Sequence, residues 1–472
     1  MQTSPLLVAE RFDLAVIGAG VVGCAVARRF ALAGARVVVL EKGRDILSGA
    51  SKANSAILHT GFDAPPGSLE LELVRAGRAE YLAIREELNL PLVETGAFVC
   101  AWDEAQAGAL EEIEAQGRAN GIEGLALRSA GEARAAMPSL SGRLRAALEV
   151  EGEHVVDPWS APLAYLTQAV ALGAVFLRGT ELLAGRFDGA WHLETTAGTV
   201  RADALVNAAG LYGDVVDARL GFTPGFEIRP RKGQFVVLDK AASRHVRRIV
   251  LPVPTPVTKG IVICPTAFGN VLVGPTAEEQ DDRERAAVDT PMLEALLARA
   301  REIVPALAAM PVTAVYAGLR PASDDKAYRI FARPQARAVT LGGIRSTGLS
   351  SALGLAGHAL RLYQSFSAPL APPALVPPAL VPPVRVPNLA ETRQRDWQRP
   401  DHGEIVCHCE MTTRREIETA LDSPVPPGDF GGLRRRTRAG MGRCQGFYCN
   451  ARLAQMTQGR LDPPLAVPEP KP

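Results

Sequence analysis

Hydrophobic and polar positions along the chain follow two different periods. Short, β-branched apolar runs at Asp13–Ile17, Arg36–Leu40, Ala204–Asn207, Gln234–Leu238, Gly260–Cys264, Val271–Val273 and Ala338–Gly342 read as buried strands. Between them, Val21–Ala33, Leu71–Glu87, Ala105–Asn120, Pro162–Leu172 and Pro291–Ile303 carry helical periodicity. No internal repeat is present. The alternation predicts an α/β (α+β) body of two interleaved parts. One spans about 12–90, 150–222 and 315–367, the other about 91–149 and 223–314. The pattern breaks at 368–400, which opens with APLAPPALVPPALVPPVRVPN. Proline fixes φ and removes backbone donors, so an extended linker is expected there. Residues 401–460 form a small cysteine-bearing module. The proline-rich 461–472 is expected to be disordered.

Composition narrows the class. The chain has 472 residues, 47% of them apolar, enough for several buried cores. Its formal charge of +1 gives no drive toward nucleic acid or an anionic membrane. The N-terminal residues lack the pattern of a secretory signal, and no apolar run approaches a membrane span. The expectation is a cytoplasmic protein, at most peripheral to the inner membrane through a partner. Of seven cysteines, Cys24, Cys100 and Cys264 lie in apolar surroundings, as small buried hydrophobes do. Cys407, Cys409, Cys444 and Cys449 crowd the C-terminal module, where clustered cysteines of a reducing compartment usually bind metal.

The strongest chemical signal is DLAVIGAGVVGCAVARRFALAGARVVVLEK, from Asp13 to Lys42. A strand runs into a glycine turn, a helix follows, and a second strand ends at an acid. Gly18 permits the tight turn, Gly20 lets backbone approach a pyrophosphate, and Gly23 allows close helix–strand packing. The helix N-terminus offers free N–H groups and a positive dipole end to the phosphates. Glu41 is placed to bind ribose hydroxyls, with Lys42 beside it. The unit itself does not separate FAD from NAD.

Three further segments separate them. Ser48–Gly61 (SGASKANSAILHTG), Ala204–Asp214 (ALVNAAGLYGD) and Gly343–Ala356 (GIRSTGLSSALGLA) follow in order. With the glycine turn they resemble the D-amino-acid-oxidase-like flavoproteins over about 12–362. The resemblance implies a Rossmann-like FAD-binding domain built from separated stretches, with an inserted antiparallel-sheet substrate domain. It implies that Ser51 and Asn54 contact phosphates or flavin, and that Ala208 and Gly210 lie near the cofactor. Gly348 and Leu349 would offer N–H groups to the flavin ring, and a helix from about Ser350 would aim its positive end there.

Within that superfamily the chain resembles glycerol-3-phosphate dehydrogenases, particularly the large subunit of the anaerobic type, and L-2-hydroxyglutarate oxidases. The implied reaction is oxidation of a small anionic 2-hydroxy substrate, hydride going to the flavin. His59 is the candidate base for the hydroxyl proton, since its unperturbed pKa lies near neutrality. Arg320 offers a guanidinium fork to a carboxylate or phosphate. Lys259 and Arg345 are candidates for added positive charge in the same pocket. Tyr316 reads as packing or as cavity lining. The sequence departs from relatives at Ser346-Thr347, where a serine–proline is frequent, and this keeps L-2-hydroxyglutarate and amine donors open as alternatives.

The module carries C-x-C, then 34 residues, then C-x4-C. Four thiolates suit a 2Fe–2S cluster or a structural zinc. The segment from Thr437 to Cys449 (TRAGMGRCQGFYC) resembles bacterioferritin-associated ferredoxin, a 2Fe–2S domain, with Cys407, Cys409, Cys444 and Cys449 as ligands. His408 is not read as a ligand. The basic run Leu433–Arg438 reads as a solvated helix end near an anionic cluster, or as a dock for an acidic partner. No aromatic platform accompanies it, which argues against nucleic acid. The implied route takes electrons from FAD through the cluster to a partner subunit or carrier protein. The competing class is a redox-sensing flavoprotein.

Overall fold

The computed structural model describes residues 11–254, 260–366 and 383–466. Its first sheet has eight strands. At its centre Arg11–Ile17 pairs in parallel with Val37–Glu41 on one side and Gly198–Asn207 on the other. Val175–Arg178 extends one flank, and Ala338–Gly342 adds in parallel to Gly198–Asn207. Ile17, Glu41 and Asn207 therefore end at one edge. In doubly wound sheets this carboxyl edge is where ligands bind.

Helices Val21–Leu32, Leu69–Leu88, Ser160–Ala171 and Gly348–Phe366 cover one face and share a core with Leu14, Val16, Val37 and Val39. Leu69–Leu88 and Gly348–Phe366 approach backbone to backbone. A side chain at Gly77 would overlap the Ser350 carbonyl, and one at Gly354 would overlap that of Leu73. The hairpin Leu182–Phe187 and Trp191–Thr195 extends the sheet beyond Gly198–Asn207, and its buried Trp191 packs with Val216 and Leu220 in the core on the other face.

The second sheet has nine strands and holds Ala97–Ala101, Leu125–Ser129, Ala146–Val150 and the six strands between Arg231 and Arg320. It is antiparallel except where Ile249–Pro252 meets Ala97–Ala101. Its strand Val312–Arg320 pairs along the full length of Arg231–Leu238. Residues 315–320 thus belong to this sheet, and the sequence-based boundary at 315 is corrected. Ala97–Ala101 escaped the sequence reading because Val99 is the single β-branched residue in AFVCA, which weakens its strand signal.

Two further expectations need correction. Residues 368–382 lie outside the described residues, but 383–400 is no free linker. Val384 and Val386 join the main core, and Leu389 and Ala390 are buried against the second sheet. Arg395 is buried and paired with Glu416. The proline rule excluded helix and central strand correctly, yet an extended strap can still pack. Likewise Leu461, read as part of a disordered tail, is buried in the module core; only 467–472 lies outside the described residues.

The module joins a two-stranded sheet (Ile405–Cys407, Thr412–Thr413) to helices Arg414–Leu421, Phe430–Thr437 and Asn450–Met456. Thr413 and Glu416 close a capping box on the first helix. Among the described residues no helix is long and apolar enough to cross a membrane.

Leu389→Ala is expected to destabilise the folded chain by about 2–5 kcal/mol, as for other buried leucines. The check is the thermal or denaturant midpoint. An unchanged midpoint would mean that the strap carries no packing energy.

Candidate functional site

A cavity of about 540 Å³ opens along the carboxyl edge of the first sheet and runs toward the second. Gly18, Gly20, Glu41, Lys42, Ser51, Asn54, Ala208, Gly210, Gly348 and Leu349 line it, as do Arg320 and Arg345. The turn is built from backbone that tolerates no side chains. Gly18 takes φ +99°, and a Cβ there would stand 2.8 Å from the Ala208 carbonyl oxygen. Gly23 does not line the cavity. A Cβ at Gly23 would overlap the Gly18 carbonyl, so its role is to let the helix seat against the turn. Ser51 Oγ accepts the Val21 N–H at 3.1 Å, joining the loop to the helix start.

Glu41 is buried, and burial raises its pKa. Its carboxylate accepts the N–H groups of Ala19 and Gly43, each at 2.7 Å, which holds it at the cavity wall and opposes that shift. Lys42 lies 3.3 Å from the Tyr212 ring centre and pairs with Glu284 at 3.7 Å. Arg283 grips Asp214 through both carboxylate oxygens at 2.5 and 2.9 Å. Tyr212, Arg283 and Glu284 line the same mouth, and none was evident from the sequence.

At the other end, Arg320 closes the strand Val312–Arg320. Its guanidinium donates to the carbonyls of Arg231, Lys232 and Thr276 at 3.4, 3.1 and 2.6 Å. Burial, and then Arg231, push its pKa down to about 10, so it stays charged at neutral pH. Arg345 adds to this repulsion. Lys52, not singled out from the sequence, also lines the cavity, and burial lowers its pKa. The charges nearest Lys52 are Arg435 and Asp429 of the module, so Arg320 and Arg345 are the two cations that make a candidate anion subsite. Lys259 lies outside the described residues. Tyr316 is packing: it stacks on Phe235 with ring centres 4.8 Å apart and donates to the Asn54 carbonyl at 3.2 Å.

His59 is held beside the cavity and is not among its lining residues. Its Nδ1 lies 2.8 Å from Glu153 Oε2. Glu153 is fully buried, and its other oxygen accepts the Thr60 N–H and hydroxyl at 2.7 and 2.8 Å. Ser350 Oγ accepts the His59 N–H at 2.9 Å, tying the histidine to the helix Gly348–Phe366. Glu153 and Ser350 lie 94 and 291 positions from His59, and no local pattern marks them. Thr347, where relatives often have proline, bonds instead to Glu70 and Tyr328 at 2.7 and 2.6 Å.

In the module, Cys409 lies near Cys444, and Cys407 near Cys449. The nearby backbone N–H groups of Tyr448, Gly446 and Phe447 lower the pKa of Cys444; burial raises those of Cys409 and Cys449. Gly440 N–H points at Cys407 Sγ, 3.5 Å away. Among the described residues no three metal-ligating side chains converge on one position. Two thiol pairs with inward N–H donors fit two irons bridged by sulfide better than one tetrahedral ion.

The glycine cradle, the anion subsite and the paired thiols define a flavin-dependent oxidoreductase with an attached iron–sulfur module. The chain belongs to the FAD dependent oxidoreductase (DAO) family, which it matches over residues 13–362, and residues 405–458 match the BFD-like 2Fe-2S binding domain. Its cofactors are FAD and a 2Fe–2S cluster. It is 30% identical to a glycerol 3-phosphate dehydrogenase of Caloramator mitchellensis, over 94% of this chain and 93% of that one. It is 27% identical to a subunit of the anaerobic glycerol-3-phosphate dehydrogenase of Escherichia coli K12, over 94% and 88%. Among solved structures, dithionite-reduced L-alpha-glycerophosphate oxidase from Mycoplasma pneumoniae with FAD bound aligns with a TM-score of 0.70 at 27% identity, covering 75% of this chain and 95% of that one.

Gly23→Ala is expected to purify without FAD, read as visible flavin absorbance per chain. Full flavin content would refute the packing role of Gly23. The thiol pairing calls for about two irons and matching acid-labile sulfide per chain. One zinc would contradict it.

Proposed function

We propose that the chain oxidises glycerol 3-phosphate to dihydroxyacetone phosphate and passes the electrons through its C-terminal module to a carrier or partner subunit. The observation that carries the reading is the anion subsite. Arg320 is fixed on three carbonyls where it lines the cavity, with Arg345 near enough to repel it. A phosphate answers both the geometry and the charge of such a guanidinium. Relatives named for glycerol 3-phosphate over nearly the whole chain agree with it.

When bound, FAD accepts the hydride from the alcohol carbon and the 2Fe–2S cluster carries electrons singly. The protein's own part is placement and proton transfer. Arg320, with Arg345, binds and orients the phosphate. His59 takes the hydroxyl proton at Nε2. Nδ1–H donated to Glu153 fixes the tautomer that makes Nε2 the acceptor, and stabilises the imidazolium that results. His59 is not among the cavity-lining residues, and catalytic contacts of this kind commonly close only once substrate is bound.

Contacts between module and body support the electron route. The Arg438 guanidinium lies 4.0 Å from the centre of the Phe268 ring. Phe268 stacks on Trp159, and the Trp159 indole N–H donates to the carbonyl of cavity-lining Lys52 at 3.1 Å. Packed groups therefore run without a break from the module to the cavity.

The test is anaerobic flavin bleaching by glycerol 3-phosphate and, separately, by L-2-hydroxyglutarate. Bleaching by the phosphate is expected. Bleaching by the hydroxy acid alone would reassign the subsite to carboxylates. His59→Asn is expected to slow bleaching by about 10²–10⁴-fold. Arg320→Met is expected to raise the half-saturating concentration roughly 10- to 150-fold, the loss of one charged hydrogen-bonding partner. Effects on rate for Arg320 alone, or on saturation for His59 alone, would interchange the roles.

A further inference from the structure

The loop from Lys42 to Gly49 has two faces. One lines the cavity, through Lys42, Gly43, Ser48 and Gly49. The other is gripped by the cysteine module. Asp45 is fully buried and accepts both ends of the Arg436 guanidinium, at 2.6 and 2.8 Å. The Gly428 N–H adds a third bond to it at 3.3 Å, and Arg435 donates to the neighbouring Ile46 carbonyl at 3.2 Å. Contact is so close that side chains at Gly428 and Gly432 would overlap the Arg44 carbonyl and the Asp45 carboxylate. Arg178, on the flanking strand Val175–Arg178, donates to the Pro426 carbonyl at 2.8 Å.

The gripped residues lead straight to the cofactor side. The Asp45 carbonyl accepts the Ser48 hydroxyl at 2.5 Å. Leu47 donates its N–H to the Ala19 carbonyl inside the glycine turn, at 3.0 Å. Leu47 does so with φ +60°, a left-handed conformation that a leucine keeps only when its surroundings impose it. Here they come from the core beneath and from the module behind.

We propose that the module is a clamp on FAD: the Asp45–Arg436 pair holds the Lys42–Gly49 loop in its cofactor-binding shape, so that retention of FAD depends on the docked module. Breaking one side of a buried ion pair leaves an uncompensated buried charge, which the loop relieves by opening. Arg436 sits on the helix Phe430–Thr437, and this helix packs in a core that includes Cys407 and Cys449. So small a core depends on its metal for folding, and loss of the cluster is transmitted to the FAD loop. By linkage, bound FAD tightens docking of the module to the same degree.

The proposal rests on FAD occupying the cavity and is independent of the substrate, so its failure would leave the reading of glycerol 3-phosphate intact. The experiment follows FAD release from the holoenzyme by the rise of free-flavin fluorescence after dilution. Arg436→Gln is expected to release FAD roughly tenfold faster or more, the size of an ordinary coupling between sites. Arg443→Ala, which cuts a separate docking contact to Asp239, is expected to release it at the wild-type rate. Equal acceleration in both variants would assign retention to docking at large and overturn the role of the pair. Should Arg436→Gln fail to fold, the wild-type holoenzyme stripped of iron by oxidation and chelation replaces it, with the same acceleration expected. FAD release at the wild-type rate overturns the clamp in either case.

Discussion

Everything in the active region depends on how closely two stretches of backbone approach. The helix Val21–Leu32 starts against the carbonyl of Gly18, where a single β-carbon at Gly23 would not fit. That approach sets the helix N-terminus at the carboxyl edge of three parallel strands, beside Glu41 and Ala208. Dipole, free N–H groups and a fixed carboxylate then meet in one cavity. The core under it, from Leu14 and Val16 to Leu353 and Ala356, keeps that edge rigid. The second sheet needs only to bring Arg320 to the far end.

Charge is handled differently at the two ends. At the end that holds Glu41, each ion has a partner: Glu41 on two N–H groups, Arg283 on Asp214, Lys42 on Tyr212 and Glu284. At the far end, Arg320 is held by neutral carbonyls, which orient its guanidinium along the cavity lining. On the proposed reading, this orientation is what an anionic substrate would meet. His59, beside the cavity, is oriented by a carboxylate that burial removes from competition with water.

What could be read from the sequence was local. Gly18, Gly20, Gly23 and Glu41 announce themselves because the whole strand–turn–helix–strand lies within thirty residues. The paired cysteines do so through spacing. Arg320 and Arg345 became legible only through resemblance, and both do line the cavity. Glu153, Ser350 and the Asp45–Arg436 pair were not legible, because each acts on a residue far away in the chain. The strand Val312–Arg320 was split between domains, since its burial pattern follows from pairing with Arg231–Leu238 and shows no clear alternation. The strap at 383–400 was misread for a related reason: proline content reports what backbone cannot form, and says nothing about what Val384, Val386 and Leu389 can cover.

The central claim is that one chain couples oxidation of a phosphorylated alcohol to its own iron–sulfur module. The most direct measurement is an anaerobic titration of the holoenzyme with glycerol 3-phosphate, following flavin absorbance and the paramagnetic signal of the reduced cluster together. Both are expected to change on substrate addition, with the cluster signal following the flavin. A flavin that bleaches fully while the cluster stays oxidised would contradict the coupling.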